Sequence, residues 1–324
     1  MGTMIDGRWE TEANHALTEN GRYIRKDSQF RNWVTADGAS GFPAEAGRYH
    51  LYVSYQCPWA HRALLYRALK GLQGAIGVSI AVPNDRRMSW EFRDDGTGTT
   101  EDAAEGFAYL YEAYAAADPI YSGIASVPVL WDRARRTIVN NESSEIIRML
   151  NSAFDAFATN KQDFYPPDLR ADIDAMNEKI YAGLNNGVYR CGFAAVQAAY
   201  EEGCRQVFAT LDALEAHLAG ARYLVGGRIT EADWRLFITL VRFDAVYHSL
   251  FRCSLRTLES YPALSAYMRD LYQQPGVAET VRIDHIVRGY FSIPRANPSR
   301  IVPLPPQDFA SRLSQPHGRE TMQS

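Results

Sequence analysis

Residues 48–72 read RYHLYVSYQCPWAHRALLYRALKGL, and this stretch decides the fold. Tyr49–Tyr55 is a run of β-branched and aromatic residues of strand length. From Pro58 onward the apolar residues Ala60, Leu64, Leu65, Ala68, Leu69 and Leu72 fall at helical spacing. Cys57 stands at the junction, followed by a proline suited to the first position of a helix. A thiol there faces unpaired backbone N–H groups and the positive end of the helix dipole, surroundings that favour thiolate over thiol. The stretch predicts a strand, a helix and, between them, a nucleophilic or redox-active sulfur.

Working outward, Val78–Val82 is a second short apolar run. Residues 83–101 form a polar, glycine-bearing insertion with one aromatic, Trp90, that reads as exposed. Residues 103–117 return to a helical pattern ending before Asp118-Pro119. Residues 126–132 (SVPVLWD), a turn at 133–136 and a strand at 137–139 predict a β-hairpin. Residues 140–145 (NNESSE) carry a helix-start signature that Ile146, Ile147, Met149 and Leu150 continue. The order β–α–β–α–β–β–α is that of a small α/β domain over residues 48–152. Before it, residues 1–47 are polar with scattered aromatics (Trp9, Tyr23, Phe30, Trp33, Phe42), and predict an irregular extension packed on the body. After it, 153–167 read as a linker and 168–290 as an all-helical domain. Thr230 and Asp233 form a capping box there, opening a helix whose interior (Trp234, Phe237, Ile238, Leu240, Val241, Phe243) is apolar enough to be central. Residues 291–324 hold six prolines and predict an irregular tail.

A composition of 46% hydrophobic and 22% charged residues suits a chain that buries a sizeable core. Net charge −4 gives no electrostatic case for nucleic acid or an anionic membrane. No apolar run approaches the roughly 20 residues of a membrane span, and no secretory h-region opens the chain. The four cysteines (Cys57, Cys191, Cys204, Cys253) are scattered, which speaks against a disulfide framework or a zinc site and for a reducing cytoplasm. No metal is expected.

The cysteine at a helix start, the Val127-Pro128 before a hairpin strand and the Glu142-Ser143 at the last helix resemble the thioredoxin-like domain of the glutathione transferases. That likeness implies a second, all-helical glutathione-transferase domain. It also implies a glutathione tripeptide bound by the backbone of Val127, by a cis Val127–Pro128 turn, by the Ser143 hydroxyl and N–H on its carboxylate, and by Glu142 on its amino group. Ala60 stands where a CxxC dithiol has its second cysteine, so Cys57 has no local resolving thiol. YVSYQCPWAHRALLYRALKGL, SVPVLWD, IVNNESSEIIRMLN, NNGVYRCGFA and TEADWRLFITLVRFDAVY are similar to the glutathionyl-hydroquinone reductases, the xi class of glutathione transferases.

This second resemblance implies that Cys57 attacks the sulfur of a glutathionyl-hydroquinone, becomes a mixed disulfide with glutathione, and is released by a second glutathione. It places Tyr189 and Tyr290 at the acceptor ring, Trp90 over the tripeptide, and the chain in a homodimer. Two departures accompany it: Ile124 replaces the arginine of a YSGR stretch, and Gly289-Tyr290-Phe291 replaces a His-Tyr-Tyr. His61 reads as structural or solvated, and Cys191, Cys204 and Cys253 as inert core thiols. The competing readings are an omega-like thioltransferase or dehydroascorbate reductase, and a non-catalytic binder of glutathione or aromatic ligands.

Overall fold

The computed structural model describes residues 2–12 and 18–322. Residue 1, residues 13–17 of the extension and residues 323–324 of the tail lie outside the described residues. The strands are β1 (Thr3–Ile5), β2 (Arg8–Glu10), β3 (Thr18–Glu19), β4 (Arg22–Tyr23), β5 (Tyr49–Val53), β6 (Gly77–Ile80), β7 (Val129–Asp132) and β8 (Thr137–Asn140). The helices of the first half are α1 (Pro58–Leu69), α2 (Leu110–Ala117) and α3 (Ser143–Ser152). Those that follow are α4 (Arg170–Ile180), α5 (Gly187–Gly192), α6 (Gln197–Gly220), α7 (Glu231–Arg242), α8 (Pro262–Tyr272), α9 (Ile283–Phe291) and α10 (Phe309–Leu313).

The chain forms two compact units. The first comprises Met1–His15, Lys26–Gln162 and Thr280–Ile293; the second comprises Ala16–Arg25, Asp163–Glu279 and Pro294–Ser324. This division cuts across the segments expected from sequence, and the linker 153–167 is itself divided after Gln162. The extension is shared between the units, and α9, assigned from its helical pattern to the 168–290 domain, packs with the first unit. Periodicity reports that a segment is helical; it does not report which body the helix joins.

In the first unit a mixed sheet runs in the order β6-β5-β7-β8. β5 pairs parallel with β6 and antiparallel with β7, and β7 and β8 form the expected hairpin. All five β5 residues are buried, as its run of apolar and aromatic side chains requires of a central strand. α1 packs on β5 and α3, the arrangement of a thioredoxin-like domain. The open edge at β8 is covered by the extension: Asn32 N–H donates to Val139 O at 3.0 Å and Asn141 N–H to Phe30 O at 3.1 Å, so an exposed ladder is avoided. The extension is not wholly irregular, since β1 and β2 pair as a hairpin and Met4 bridges to Gly123.

Two local expectations are corrected. The helix expected from residue 103 begins at Leu110, because Asp102 accepts the N–H groups of Ala104, Glu105 and Phe107 and holds 103–107 as turns. Trp90 is not exposed. It is 3% accessible because the insertion folds back, with Leu110 N–H on Trp90 O and Phe92 N–H on Ala108 O.

In the second unit every residue of α7 is buried. Its start is fixed by Asp233, which accepts Thr230 N–H at 2.7 Å and Thr230 Oγ1 at 3.0 Å, and also Leu224 N–H and the Tyr267 hydroxyl. Asn186 N–H reaches Tyr181 O and His248 N–H reaches Phe243 O, five residues back, so wide π-type turns precede α5 and follow α7. The proline-rich tail is mostly irregular. It is anchored by Arg319, which caps the C-terminal end of α6 through the carbonyls of Leu218, Ala221 and Arg222. Among the described residues no helix is long and apolar enough to cross a membrane, and no group of His, Cys, Asp and Glu is arranged to hold a metal ion.

Candidate functional site

Cys57 is the N-cap residue of α1, with extended backbone (φ −83°, ψ 122°) and Pro58 in the first turn. Its carbonyl already accepts His61 N–H, the first helical bond, and its own N–H donates to Ser54 O. The side chain therefore stands beyond the last turn of backbone pairing, half-buried, at the end where helical N–H groups lack intrahelical acceptors. Its Sγ lies 3.6 Å from Val127 O, so the thiol faces the backbone of the Val127–Pro128 turn. That peptide bond is cis, as the sequence resemblance implied.

Glu142 and Ser143 open α3. The Glu142 side chain caps the helix, Oε1 accepting Ser144 N–H at 3.0 Å and the Ser144 hydroxyl at 2.9 Å, while Oε2 accepts Ser28 Oγ at 3.2 Å. Burial works against its charge, but the two Ser144 bonds, the Arg62 guanidinium and the Ser28 bond hold the carboxyl below the ordinary range. Among the described residues three of a carboxylate's roughly four acceptor positions are taken, which leaves one on Oε2 for a further donor. Ser143 is buried, and its hydroxyl accepts Arg62 Nη1 at 3.2 Å. Arg62 is itself buried and lies 4.6 Å over the Trp59 ring, so a guanidinium is fixed beneath the start of α3.

Tyr114 ties the Val127–Pro128 turn to the start of α3. Its hydroxyl donates to Ser126 O at 2.8 Å and accepts Ser126 N–H and Asn141 Nδ2, holding the residues that directly precede Val127 and Glu142. Nothing in the sequence distinguishes Tyr114 from the other tyrosines; the signal is wholly tertiary. Ile124 offers only its carbonyl, which accepts the Tyr121 hydroxyl. Trp90 sits under Arg86, whose guanidinium is 5.3 Å from the ring centre. His61 is buried and bonded to Thr280 Oγ1 at 2.8 Å, a structural placement.

Tyr290 lies on α9 in the first unit and is 3% exposed. α9 is fixed to the insertion by Arg288 on Asp95 at 2.7 Å and by His285 Nε2 on Thr97 O at 2.8 Å. Asp95 also accepts Thr97 and Thr99, and against the penalty of burial these bonds push its carboxyl far down. Tyr189 belongs to the second unit, on α5. There it stacks with Tyr23 (6.1 Å, 26°), meets Phe193, Tyr247 and Phe251, and carries the Arg25 guanidinium 5.1 Å over its ring. Arg25 is oriented by its bond to Asn186 Oδ1. Tyr23 and Arg25, read in the sequence only as part of an extension, build one side of this aromatic cluster. Cys191, Cys204 and Cys253 are buried, and burial raises the thiol of Cys204.

The first unit thus brings together a half-buried thiol at a helix start, a cis-proline backbone, a capped carboxylate and a buried hydroxyl. The glutathione S-transferase N-terminal domain profile matches residues 56–153, and the C-terminal domain profile matches residues 197–270. The chain is 48% identical over 328 residues to glutathionyl-hydroquinone reductase YqjG of Escherichia coli (strain K12), with 99% of each chain covered. It is 48% identical over 307 residues to glutathionyl-hydroquinone reductase PcpF of Sphingobium chlorophenolicum, covering 94% of this chain and 96% of that one. The glutathione-bound structure of YqjG, a glutathione transferase homolog from Escherichia coli K-12, superposes with a TM-score of 0.89 at 47% identity, covering 99% of each chain.

Proposed function

This chain belongs to the glutathione transferases and, within them, to the glutathionyl-hydroquinone reductases, and from that premise we propose how its residues carry the reaction. It is an enzyme that uses glutathione to reduce a glutathionyl-hydroquinone to the free hydroquinone. Glutathione lies against Val127 and Pro128 as an added strand, its carboxylate on Ser143 and the start of α3, its amino group on the remaining acceptor position of Glu142, with Trp90 at its side. Cys57 is the nucleophile.

The Cys57 thiolate attacks the sulfur that joins glutathione to the ring. A sulfur–sulfur bond forms as the aryl carbon–sulfur bond breaks; the electron pair passes to the ring carbon, which takes a proton, and the hydroquinone leaves. A second glutathione thiolate attacks the Cys57–glutathione disulfide, which releases glutathione disulfide and restores the Cys57 thiolate. An aryl carbanion is a poor leaving group. The hydroxyls of Tyr189 and Tyr290 are assigned to the ring oxygens, where hydrogen bonding favours the keto form that accepts the electron pair. Homodimerisation and a reducing, cytoplasmic location are part of the same reading.

The observation that carries it is the Cys57 sulfur facing Val127 O across a cis-proline turn, with no second cysteine at residue 60. The test follows hydroquinone release from a glutathionyl-hydroquinone in excess glutathione. Cys57→Ala loses turnover, and Tyr189→Phe and Tyr290→Phe lower kcat more than they raise KM for glutathione. Turnover of dehydroascorbate with none of the conjugate would replace this reading with that of an omega-like reductase.

A further inference from the structure

Gln56 directly precedes the nucleophile and is 2% exposed, so a neutral amide is shut away beside Cys57. Its Nε2 donates at 2.9 Å to the carbonyl of Gly289, the residue directly before Tyr290. Its Oε1 has no hydrogen-bond partner among the described residues. Methionine or leucine would fill a similar volume without burying an orphaned carbonyl, so volume alone does not account for the amide.

The acceptor is equally particular. Gly289 lies in the last turn of α9, and the Ile293 N–H that a continuing helix would send to its carbonyl goes instead to Tyr290 O. Gln56 and the Ser292 hydroxyl satisfy it from outside the backbone ladder. A Cβ on residue 289 would stand 2.2 Å from Gln56 Cδ and 2.3 Å from Oε1. Gln56 and Gly289 therefore compete for one volume: the amide is present because the glycine leaves room for it. Gly289 is also the position at which the family resemblance has a histidine.

We propose that Gln56 is a positioning residue. Its amide latches the turn that carries Cys57 to the end of the helix that carries Tyr290, and so sets the separation of sulfur and phenol across which the hydroquinone ring lies. The latch rests on the reading above, in which Cys57 and Tyr290 act on one substrate. It acts on the chemical step and not on glutathione binding or on the reactivity of the thiol.

The experiment measures kcat, KM for a glutathionyl-hydroquinone, and the rate of Cys57 alkylation by iodoacetamide in Gln56→Met, Gln56→Ala, Gly289→Ala, Tyr290→Phe and their doubles. Gln56→Met is expected to lower kcat about tenfold or more, the scale of a small misplacement of reacting groups, with alkylation unchanged. Gly289→Ala is expected to lose activity through collision with Gln56, and Gln56→Ala/Gly289→Ala to return to the level of Gln56→Ala alone. Gln56→Met added to Tyr290→Phe is expected to cost nothing further. Wild-type kcat in Gln56→Met, a double with Gly289→Ala no better than Gly289→Ala, or equal losses in kcat and alkylation would overturn the latch. Full activity in Tyr290→Phe would instead overturn the reading on which it rests.

Discussion

Replacing Glu142 by glutamine separates its cap on α3 from the contact proposed for the ligand's amino group. The amide Oε1 still accepts Ser144 N–H and the Ser144 hydroxyl, so the cap of α3 survives and stability changes by less than the roughly 1 kcal/mol of a lost N-cap. What disappears is the charge on Oε2, the oxygen with an unused acceptor position. A hydrogen bond to a charged group contributes about 1.5–3 kcal/mol, so glutathione affinity should fall roughly 10- to 100-fold. Isothermal titration calorimetry with glutathione measures this directly, with Cys57 alkylation as the control that the thiol is untouched. The pH dependence carries a sign of its own. Because the folded carboxyl titrates below an unfolded one, its charge is fully present above the ordinary glutamate range and is lost as pH falls through the lowered folded value. Wild-type affinity should therefore hold at about pH 5, where an ordinary glutamate is already partly protonated, while the Gln variant shows no such acid limb. Unchanged affinity in Glu142→Gln would refute the assignment of the ligand's amino group to this carboxylate.

Asp233→Ala leaves four buried donors (Leu224 N–H, Thr230 N–H, Thr230 Oγ1 and the Tyr267 hydroxyl) without their acceptor, and should cost about 3–5 kcal/mol in denaturant unfolding. Asp233→Asn, which keeps an acceptor, should cost clearly less. Ile124→Arg restores a cation on the half-buried strip before the cis-proline turn; a partly exposed ion pair is worth up to about 1 kcal/mol, so glutathione should bind up to about fivefold tighter, read as a larger thermal shift at fixed ligand.

The parts of this protein legible in its sequence are those whose chemistry is local. A strand-length run, a cysteine, a proline and a helical repeat announce β5, Cys57 and α1; Thr230 and Asp233 announce α7; the residues from Asn140 to Glu145 announce α3. The parts that were not legible depend on residues far apart in the chain. Trp90 looked exposed because its insertion is polar, yet the fold-back of 89–92 on 108–110 covers it. Asp102 moves the start of α2 by claiming three N–H groups for a turn. The allegiance of α9 to the first unit is carried by contacts such as Gln56–Gly289 and Arg288–Asp95, each between residues more than 190 positions apart. At residue 289 the space that a side chain would take is filled by the Gln56 amide, from a position 233 residues away in the chain.

In the proposed mechanism Cys57 takes glutathione from the ring before any second glutathione is needed. This order is tested by mixing the protein with one equivalent of a glutathionyl-hydroquinone in the absence of free glutathione, then measuring intact mass and released hydroquinone together. A single glutathionyl adduct on Cys57 and an equal amount of free hydroquinone are expected, both absent in Cys57→Ala. Release of hydroquinone without the adduct, or by the Cys57→Ala variant, would contradict it.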